Sequence, residues 1–129
     1  MRIVRHADQA EEDWRAGVAT RMLVAAENGA AQLCIFEQRC APGLGAPTHL
    51  HAVEEVLTVI SGEAEIWVGE DRSAIEAGGS VIVPAGFWHG FRNIGKDDLH
   101  VRAILAAPVF EASYEDRAEI TRRYLPGGE

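Results

Sequence analysis

Short apolar segments separated by Gly, Pro, Asn or Asp recur along the chain, and this pattern predicts β-strands joined by turns. In MLVAAENGAAQLCIFEQ, Asn28-Gly29 lies between two apolar segments and predicts a hairpin, because both residues tolerate the positive φ of a type I′ turn. EEVLTVISGEAEIWVG repeats the pattern with Ser61-Gly62 at the turn. GGSVIVPAGFWHGFRN predicts two more strands around a Pro-Ala-Gly turn, and DLHVRAILAAP predicts another. Short strands at this spacing are typical of an all-β sandwich or barrel.

Two segments near the ends of the chain have helical features instead. The polar pattern around Ala7 to Trp14 predicts a short helix. A second helix is expected after Ser113, because SYED has the form of a capping box. Pro126 and Gly127 are expected to end it. The two ends of the chain are therefore expected to flank a β core.

Length and composition limit the alternatives. With 129 residues, 47% hydrophobic and 25% charged, the chain is suited to one folded domain, which we expect over residues 1–129. The net charge of -8 opposes binding to nucleic acid or to an anionic membrane surface. The start of the sequence has no apolar leader-like region and no stretch is long enough to span a bilayer, so we expect a cytoplasmic protein. Cys34 and Cys40 lack Cys-x-x-Cys spacing and are expected to be partly buried.

The segment HLHAVEEVLTVISG carries the first candidate chemistry. Side chains alternate along a strand, so His49, His51, Val53 and Glu55 would share one face if residues 48–60 are extended. Two imidazoles and a carboxylate suit a divalent transition metal. Glu54 would point to the opposite face. Taken alone, the pattern is equally compatible with surface histidines near the start of a strand.

A second segment, PAGFWHGFRN, places His89 three residues after Gly86, and with it the chain resembles the cupin superfamily. The first cupin motif, G-x5-H-x-H-x3-E-x6-G, is filled over residues 43–62, and the second, G-x5-P-x-G-x2-H-x3-N, over residues 78–93. The resemblance implies a double-stranded β-helix, or jelly-roll barrel, with one divalent transition metal inside: iron, nickel, manganese, zinc or copper. The ligands that it implies are His49, His51, Glu55 and His89.

Several other residues are candidates for a substrate pocket. Phe87 and Phe91 share strand parity with His89, and Val53 and Leu57 would extend an apolar wall from the first motif. Core packing is the competing interpretation for all four. Arg102 could bind a substrate carboxylate if the polar face of LHVRAIL lined the cavity. The alternative for Arg102 is a solvated outer face.

Four protein ligands leave positions open on an ion that prefers six, which favours catalysis with Glu55 as a catalytic residue. We expect a dioxygenase-like oxidoreductase acting on a small aromatic, polyphenolic or keto-enol substrate. The alternatives are a lyase or isomerase acting on a small organic acid or sugar derivative, and a cupin that binds a small ligand without turnover. A homodimer is also expected, because edge strands need cover and Trp67 and Trp88 are free for burial.

Overall fold

The structure is a computed structural model that describes residues 1–125. Within that range the chain forms twelve strands: β1 Glu11–Arg15, β2 Val18–Val24, β3 Cys34–Cys40, β4 Gly45–Leu50, β5 Glu55–Ser61, β6 Glu63–Val68, β7 Asp71–Glu76, β8 Ser80–Val83, β9 His89–Asn93, β10 Leu99–Leu105, β11 Phe110–Tyr114 and β12 Ile120–Arg123. Two short 3₁₀ helices cover His6–Asp8 and Ala26–Asn28.

The twelve strands form two antiparallel sheets of six. The first sheet has the order β1-β2-β3-β10-β5-β8, and the second has the order β12-β11-β4-β9-β6-β7. Their inner faces enclose one apolar core, and the four predicted metal ligands are buried as well. This is the predicted all-β jelly-roll barrel.

The alternation of side chains along each strand determines which residues form the core. In β10, Leu99, Val101, Ala103 and Leu105 are buried, whereas the residues between them are half-buried on the outer face. Ala103 pairs with Phe36 of β3 on one side and with Leu57 of β5 on the other. A row of apolar side chains therefore crosses the first sheet and faces the second.

The predicted hairpin at Ser61-Gly62 is wrong. The strands that flank it belong to different sheets, because β5 pairs with β8 and β10 whereas β6 pairs with β7 and β9. Gly62 has a φ of 90°, and a Cβ at this position would lie 3.1 Å from the Asp98 carbonyl oxygen. The glycine thus makes a corner that carries the chain from one sheet to the other.

The predicted hairpin around Asn28-Gly29 is confirmed in its strand pairing but not in its turn. β2 and β3 pair antiparallel, but a 3₁₀ helix and Gly29 at φ 115° lie between them instead of a two-residue turn. The Asn28 side chain accepts from the Ala25 amide at 2.9 Å and donates to the Leu23 carbonyl at 2.9 Å. These bonds stabilise the longer connection.

Both predicted helices are wrong. The segment Ala7 to Trp14 contains the end of a 3₁₀ helix and most of β1, and the sequence after Ser113 turns into β12, which pairs with β11. Side-chain packing overrides the local capping signal, because Phe110, Ala112 and Tyr114 are buried at alternate positions. The expected stop at Pro126 and Gly127 lies outside the described residues. No helix in the described range is long and apolar enough to cross a membrane.

Candidate metal centre

The four predicted ligands come from both sheets. His49 on β4 pairs directly with His89 on β9 in the second sheet, whereas Glu55 begins β5 in the first sheet. His51 lies in the connection that follows β4. The extended segment expected over residues 48–60 is therefore wrong, because residues 51–54 carry the chain across the barrel. That crossing brings the carboxylate to the histidines.

The cluster is compact and closed to solvent. One ligand atom from each of His49, His51, Glu55 and His89 lies within 4.8 Å of all the others. The four residues are 1–6% exposed. Two opposite ligands at about 2.0–2.3 Å from one ion would be about 4.0–4.6 Å apart. The cluster is therefore close to the size that one transition-metal ion requires.

Backbone carbonyls fix the orientation of each imidazole. His49 Nδ1 donates to the Pro47 carbonyl at 2.7 Å. His51 Nδ1 donates to the Glu111 carbonyl at 2.8 Å, and His89 Nδ1 donates to the Phe87 carbonyl at 2.8 Å. A carbonyl oxygen only accepts, so Nδ1 carries the hydrogen in all three rings. The lone pair at each Nε2 is left for a cation, as in protein metal sites.

Among the described residues, nothing donates a hydrogen bond to two of the three Nε2 atoms. Nε2 of His51 and Nε2 of His89 are buried without a hydrogen-bond partner. Glu55 faces both, with Oε1 at 2.9 Å from His89 Nε2 and Oε2 at 3.7 Å from His51 Nε2. Carboxylate oxygen and imidazole lone pair are both acceptors, so a cation must lie between them. An extra proton would satisfy one ring, whereas a metal ion would satisfy the whole cluster.

The electrostatics favour the protonation states that bind metal. Burial lowers the pKa of His49 to about 3, and the neighbouring His89 and His51 act in the same direction. Burial also lowers the pKa of His51. Burial alone would raise the pKa of Glu55, but the close approach of His89 and the other surrounding histidines outweighs burial and lowers this pKa below its usual value. Neutral imidazoles beside an ionised carboxylate are what a divalent ion needs.

The donor set therefore fits the implied metal. Three imidazole nitrogens and one carboxylate oxygen suit borderline divalent ions, and the same set accepts iron, nickel, manganese, zinc or copper. The chemistry of the ligands does not select among these ions.

A narrow internal cavity adjoins the cluster. About 380 Å³ of space lies between its wall atoms, part of it open to solvent, and the room left beyond van der Waals contact with the wall holds only one or two water molecules. The cluster contributes His49, Glu55 and His89 to its wall. The remaining lining residues are Trp14, Arg15, Phe36, Gln38, Ala46, Leu57, Phe91, Val101, Ala103, Phe110 and Tyr114. Leu57 and Phe91 thus lie where the sequence predicts a pocket wall.

The other three pocket candidates lie outside this cavity. Val53 borders a separate surface pocket with Leu105 and Val109. Phe87 is 50% exposed, because it lies in the turn before β9 where strand parity does not apply. Arg102 lies on the outer face of β10 and donates to Glu37 Oε2 at 2.6 and 2.8 Å.

Sequence reasoning missed most of the cavity wall. Phe36 and Gln38 could have been found, because alternation in CIFEQRC places them on one face with the two cysteines. Trp14 and Tyr114 could not, since they belong to segments predicted as helices, and Arg15 directly follows the first of these segments. Their place in the wall depends on the pairing of distant strands.

Comparisons with known proteins support the fold and the motifs. Residues 36–106 match the family profile described as the cupin domain. Auxin-binding protein 1 of Arabidopsis thaliana is 29% identical over 99 residues, which cover 69% of this chain and 50% of that protein. Uncharacterized protein SCO3923 of Streptomyces coelicolor is 41% identical over 58 residues, covering 45% of this chain and 54% of that protein. The chain thus spans about half the length of the curated relatives it matches.

Solved structures share the architecture at low sequence identity. The polyketide cyclase RemF from Streptomyces resistomycificus superposes with a TM-score of 0.72 at 19% identity, covering 99% of this chain and 89% of that one. An oxalate oxidase in complex with the substrate analogue glycolate gives a TM-score of 0.75 at 19% identity, covering 88% and 63% respectively. At this identity the likeness establishes the fold alone.

Proposed function

Because this chain belongs to the cupin family, we propose that it is a metal-dependent enzyme acting on a small organic molecule. A dioxygenase-like oxidoreductase is the first candidate. The observation that supports this is the position of the ligand cluster, since His49, Glu55 and His89 form part of the cavity wall. A molecule in the cavity would therefore lie against an ion held by the cluster, without protein atoms between them.

The cluster residues would have two roles, metal binding and proton transfer. His49, His51, His89 and Glu55 would hold the ion, and the carbonyls behind the imidazoles keep their lone pairs aimed at it. A divalent ion there would supply Lewis acidity, and a redox-active one would supply the chemistry that activates dioxygen. We assign a catalytic role to Glu55 as well, because its ionised carboxylate lies in the cavity wall and can accept a proton from the substrate.

The remaining wall defines the class of substrate. Phe36, Leu57, Phe91 and Phe110 are buried and present apolar surface to the cavity. Apolar walls exclude water and favour a carbon-rich substrate over a phosphorylated one. The limited room favours the smallest aromatic or keto-enol compounds over large polyphenols.

Two alternatives use the same site. A lyase or isomerase acting on a small organic acid is favoured by Arg15, a cationic side chain in the cavity wall. Binding without turnover is favoured by the identity with auxin-binding protein 1, a relative whose name states a binding role. Oxygen consumption separates the oxidoreductase from both alternatives.

The test begins with protein purified without chelators. Elemental analysis identifies the bound metal, and reloading with iron, nickel, manganese, copper or zinc gives matched samples. Oxygen uptake is then followed with small catechols and β-diketones. We expect uptake with at least one redox-active ion and its loss in Glu55→Gln. His100→Ala, on the outer face of β10, is the matched control and should retain uptake.

Two other results decide against this assignment. Absence of uptake with every loaded metal would contradict the oxidoreductase. Full uptake in Glu55→Gln would remove Glu55 from the chemistry while leaving the metal requirement intact. A lyase or isomerase would instead convert a small acid under nitrogen, which proton NMR detects.

We also propose that the chain forms a homodimer. β8 and β7 each form one edge of their sheet, and exposed apolar side chains lie near them, with Ile82 at 65%, Phe87 at 50% and Trp88 at 41% exposure. A partner subunit that covers such an edge pairs or shields its free backbone N–H and C=O groups. Sedimentation analysis should give a dimer mass at micromolar concentration, and Ile82→Glu should weaken the dimer at least about tenfold. Ile3→Glu is the control, and a monomeric wild type contradicts the proposal.

A further inference from the structure

Arg15 is a cation in the cavity wall without an anionic partner. No carboxylate in the part of the chain that the structure describes lies within 4.0 Å of its guanidinium, although six other arginines have such a partner. The side chain is partly buried and lines the same cavity as His49, Glu55 and His89. A partly buried, uncompensated guanidinium beside a cavity is suited to binding an anion.

A β-bulge places this side chain in the cavity. Asp13 pairs with Ala19 and Arg15 pairs with Val18, so Trp14 is an extra residue on β1. Regular alternation would turn Trp14 and Arg15 to opposite faces, but both line the cavity. Bulges commonly redirect a side chain near a functional site.

The hydrogen bonds of Arg15 hold it in place and leave donors free. One terminal nitrogen donates to the Gly45 carbonyl at 3.2 Å, and the other donates to the Tyr114 hydroxyl at 3.3 Å. A guanidinium has five N–H donors in a planar fork, so three remain for a ligand. The fork is therefore oriented but not satisfied.

Tyr114 contacts both Arg15 and the metal-ligand candidate His49. Its ring stacks on His49 with centroids 5.3 Å apart and an interplanar angle of 28°. Its hydroxyl oxygen accepts the bond from Arg15, so the hydroxyl hydrogen is free for another acceptor. Tyr114 is 6% exposed, and it lines the cavity together with Arg15.

We propose that Arg15 and Tyr114 form a carboxylate-binding subsite that anchors one end of the substrate while its other end reaches the metal ligands. The contact between the other end of the substrate and the metal ligands rests on the proposed function. It narrows the substrate class to small molecules that carry two oxygen functions, at least one of them an anionic carboxylate.

The test uses zinc-loaded protein, because zinc is redox-inert, and titrates it calorimetrically with oxalate, malonate, succinate and glutarate. Acetate is the reference, since its single carboxylate can occupy the metal or the subsite but cannot reach both at once. We expect one member of the dicarboxylate series to bind about ten- to a hundredfold more tightly than acetate. Arg15→Gln should abolish that advantage and leave the zinc content unchanged, because Arg15 is not one of the four metal ligands.

Two variants and a control sharpen the assignment. Arg15→Lys keeps the charge but loses the fork, so it should retain part of the preference. Tyr114→Phe removes one donor and should weaken the preferred dicarboxylate about threefold to tenfold. Arg21→Gln, on the same hairpin but paired with Glu11, should bind like the wild type. Circular dichroism checks that each variant is folded.

The outcomes separate this subsite from the proposed function. Zinc uptake with equal binding of all dicarboxylates by wild type and Arg15→Gln overturns the subsite and leaves the metal-dependent enzyme standing. Failure to take up zinc, with Arg15-dependent succinate binding by the metal-free protein, supports the subsite and contradicts the proposed function. Absence of any carboxylate binding to zinc-loaded wild type overturns the subsite.

Discussion

Two clusters in this molecule combine glutamate with histidine at nearly the same distance. In the inner cluster, Glu55 Oε1 lies 2.9 Å from His89 Nε2, and in the outer cluster on the first sheet, Glu37 Oε1 lies 2.7 Å from His100 Nε2. The outer carboxylate also receives two hydrogen bonds from Arg102, so its charge is compensated within the protein. The inner carboxylate has no arginine or lysine among its ion-pair partners in the described structure.

The difference lies in what completes each cluster. In the outer cluster, the protein supplies the cation, and partial exposure lets water solvate the remaining groups. In the inner cluster, burial is nearly total and the imidazole hydrogens are already used by backbone carbonyls. The inner cluster is therefore organised for a cation from outside the chain, whereas the outer cluster is a local structural contact. Residue type alone does not distinguish a metal site from a salt bridge.

The largest expected effect is the loss of metal when an inner histidine is removed. His89→Ala or His49→Ala should reduce metal content from about one ion per chain to nearly none, because two imidazoles and a carboxylate remain in a site built for four ligands. Far-ultraviolet circular dichroism should still show a β protein. Elemental analysis of dialysed protein measures the effect.

The outer cluster supplies the control for this experiment. His100→Ala should retain wild-type metal content, since His100 lies on the outer face with Glu37. Full metal content in both inner variants would show that these histidines are not the ligands.

Metal removal should have the next largest effect, on thermal stability. An ion that binds only the folded chain stabilises it by about 2.7 kcal/mol at a hundredfold excess over its Kd. For a chain of this length, that corresponds to a rise in Tm of about 10 °C. Differential scanning calorimetry with zinc and then with excess chelator should show the rise and its reversal. Glu37→Gln should retain the zinc-dependent rise and His89→Ala should lose it; equal rises in both would contradict the comparison.

The ligand positions can be predicted from the sequence, but strand parity does not explain why the four side chains converge. The two motifs fix His49, His51, Glu55 and His89 at set spacings. Strand parity predicts that the first three share one face of one strand. In the structure, residues 51–54 instead carry the chain from one sheet to the other and bring Glu55 to the histidines. The motif spacing encodes that crossing, whereas a periodicity argument cannot detect it.

The rest of the site depends on contacts between distant segments. The capping signal at Ser113 is local and predicts a helix, but packing of Tyr114 on His49 requires a strand. The bulge that turns Arg15 inward depends on its register with β2. For Arg102, the sequence leaves open whether the side chain faces the cavity or the solvent. Its pairing and hydrogen bond with Glu37 on the neighbouring strand place it on the outer face.

The two clusters should also respond to acid in different pH ranges when metal is absent. An unfolded histidine gains its proton near pH 6.5, whereas burial holds the pKa of His49 at about 3. The unfolded chain therefore binds more protons below pH 6.5, and His49 makes stability fall as the pH is lowered from there. The Glu37 carboxyl has a lowered pKa because His100 and Arg102 outweigh its burial, so its contribution is present above about pH 4.5 and is lost at lower pH.

Urea unfolding of metal-free variants between pH 7 and pH 3.5 tests this separation. His49→Gln should flatten the fall in unfolding free energy between pH 6.5 and pH 4.5, by up to about 1.4 kcal/mol per pH unit. Glu37→Gln should leave that range unchanged and flatten the curve only below it. Identical curves for the two variants would contradict the assignment of separate ranges.

The smallest expected effect is the cost of breaking the outer cluster. Arg102→Gln removes two hydrogen bonds to Glu37 but leaves the bond between Glu37 and His100. Because the Arg102 side chain is 42% exposed, water replaces much of what is lost, and unfolding free energy should fall by only about 0.5–1 kcal/mol. Metal content and Arg15-dependent dicarboxylate binding should not change, because Arg102 is on the opposite side of the sheet from the cavity. A change in either would show that the outer face communicates with the metal centre.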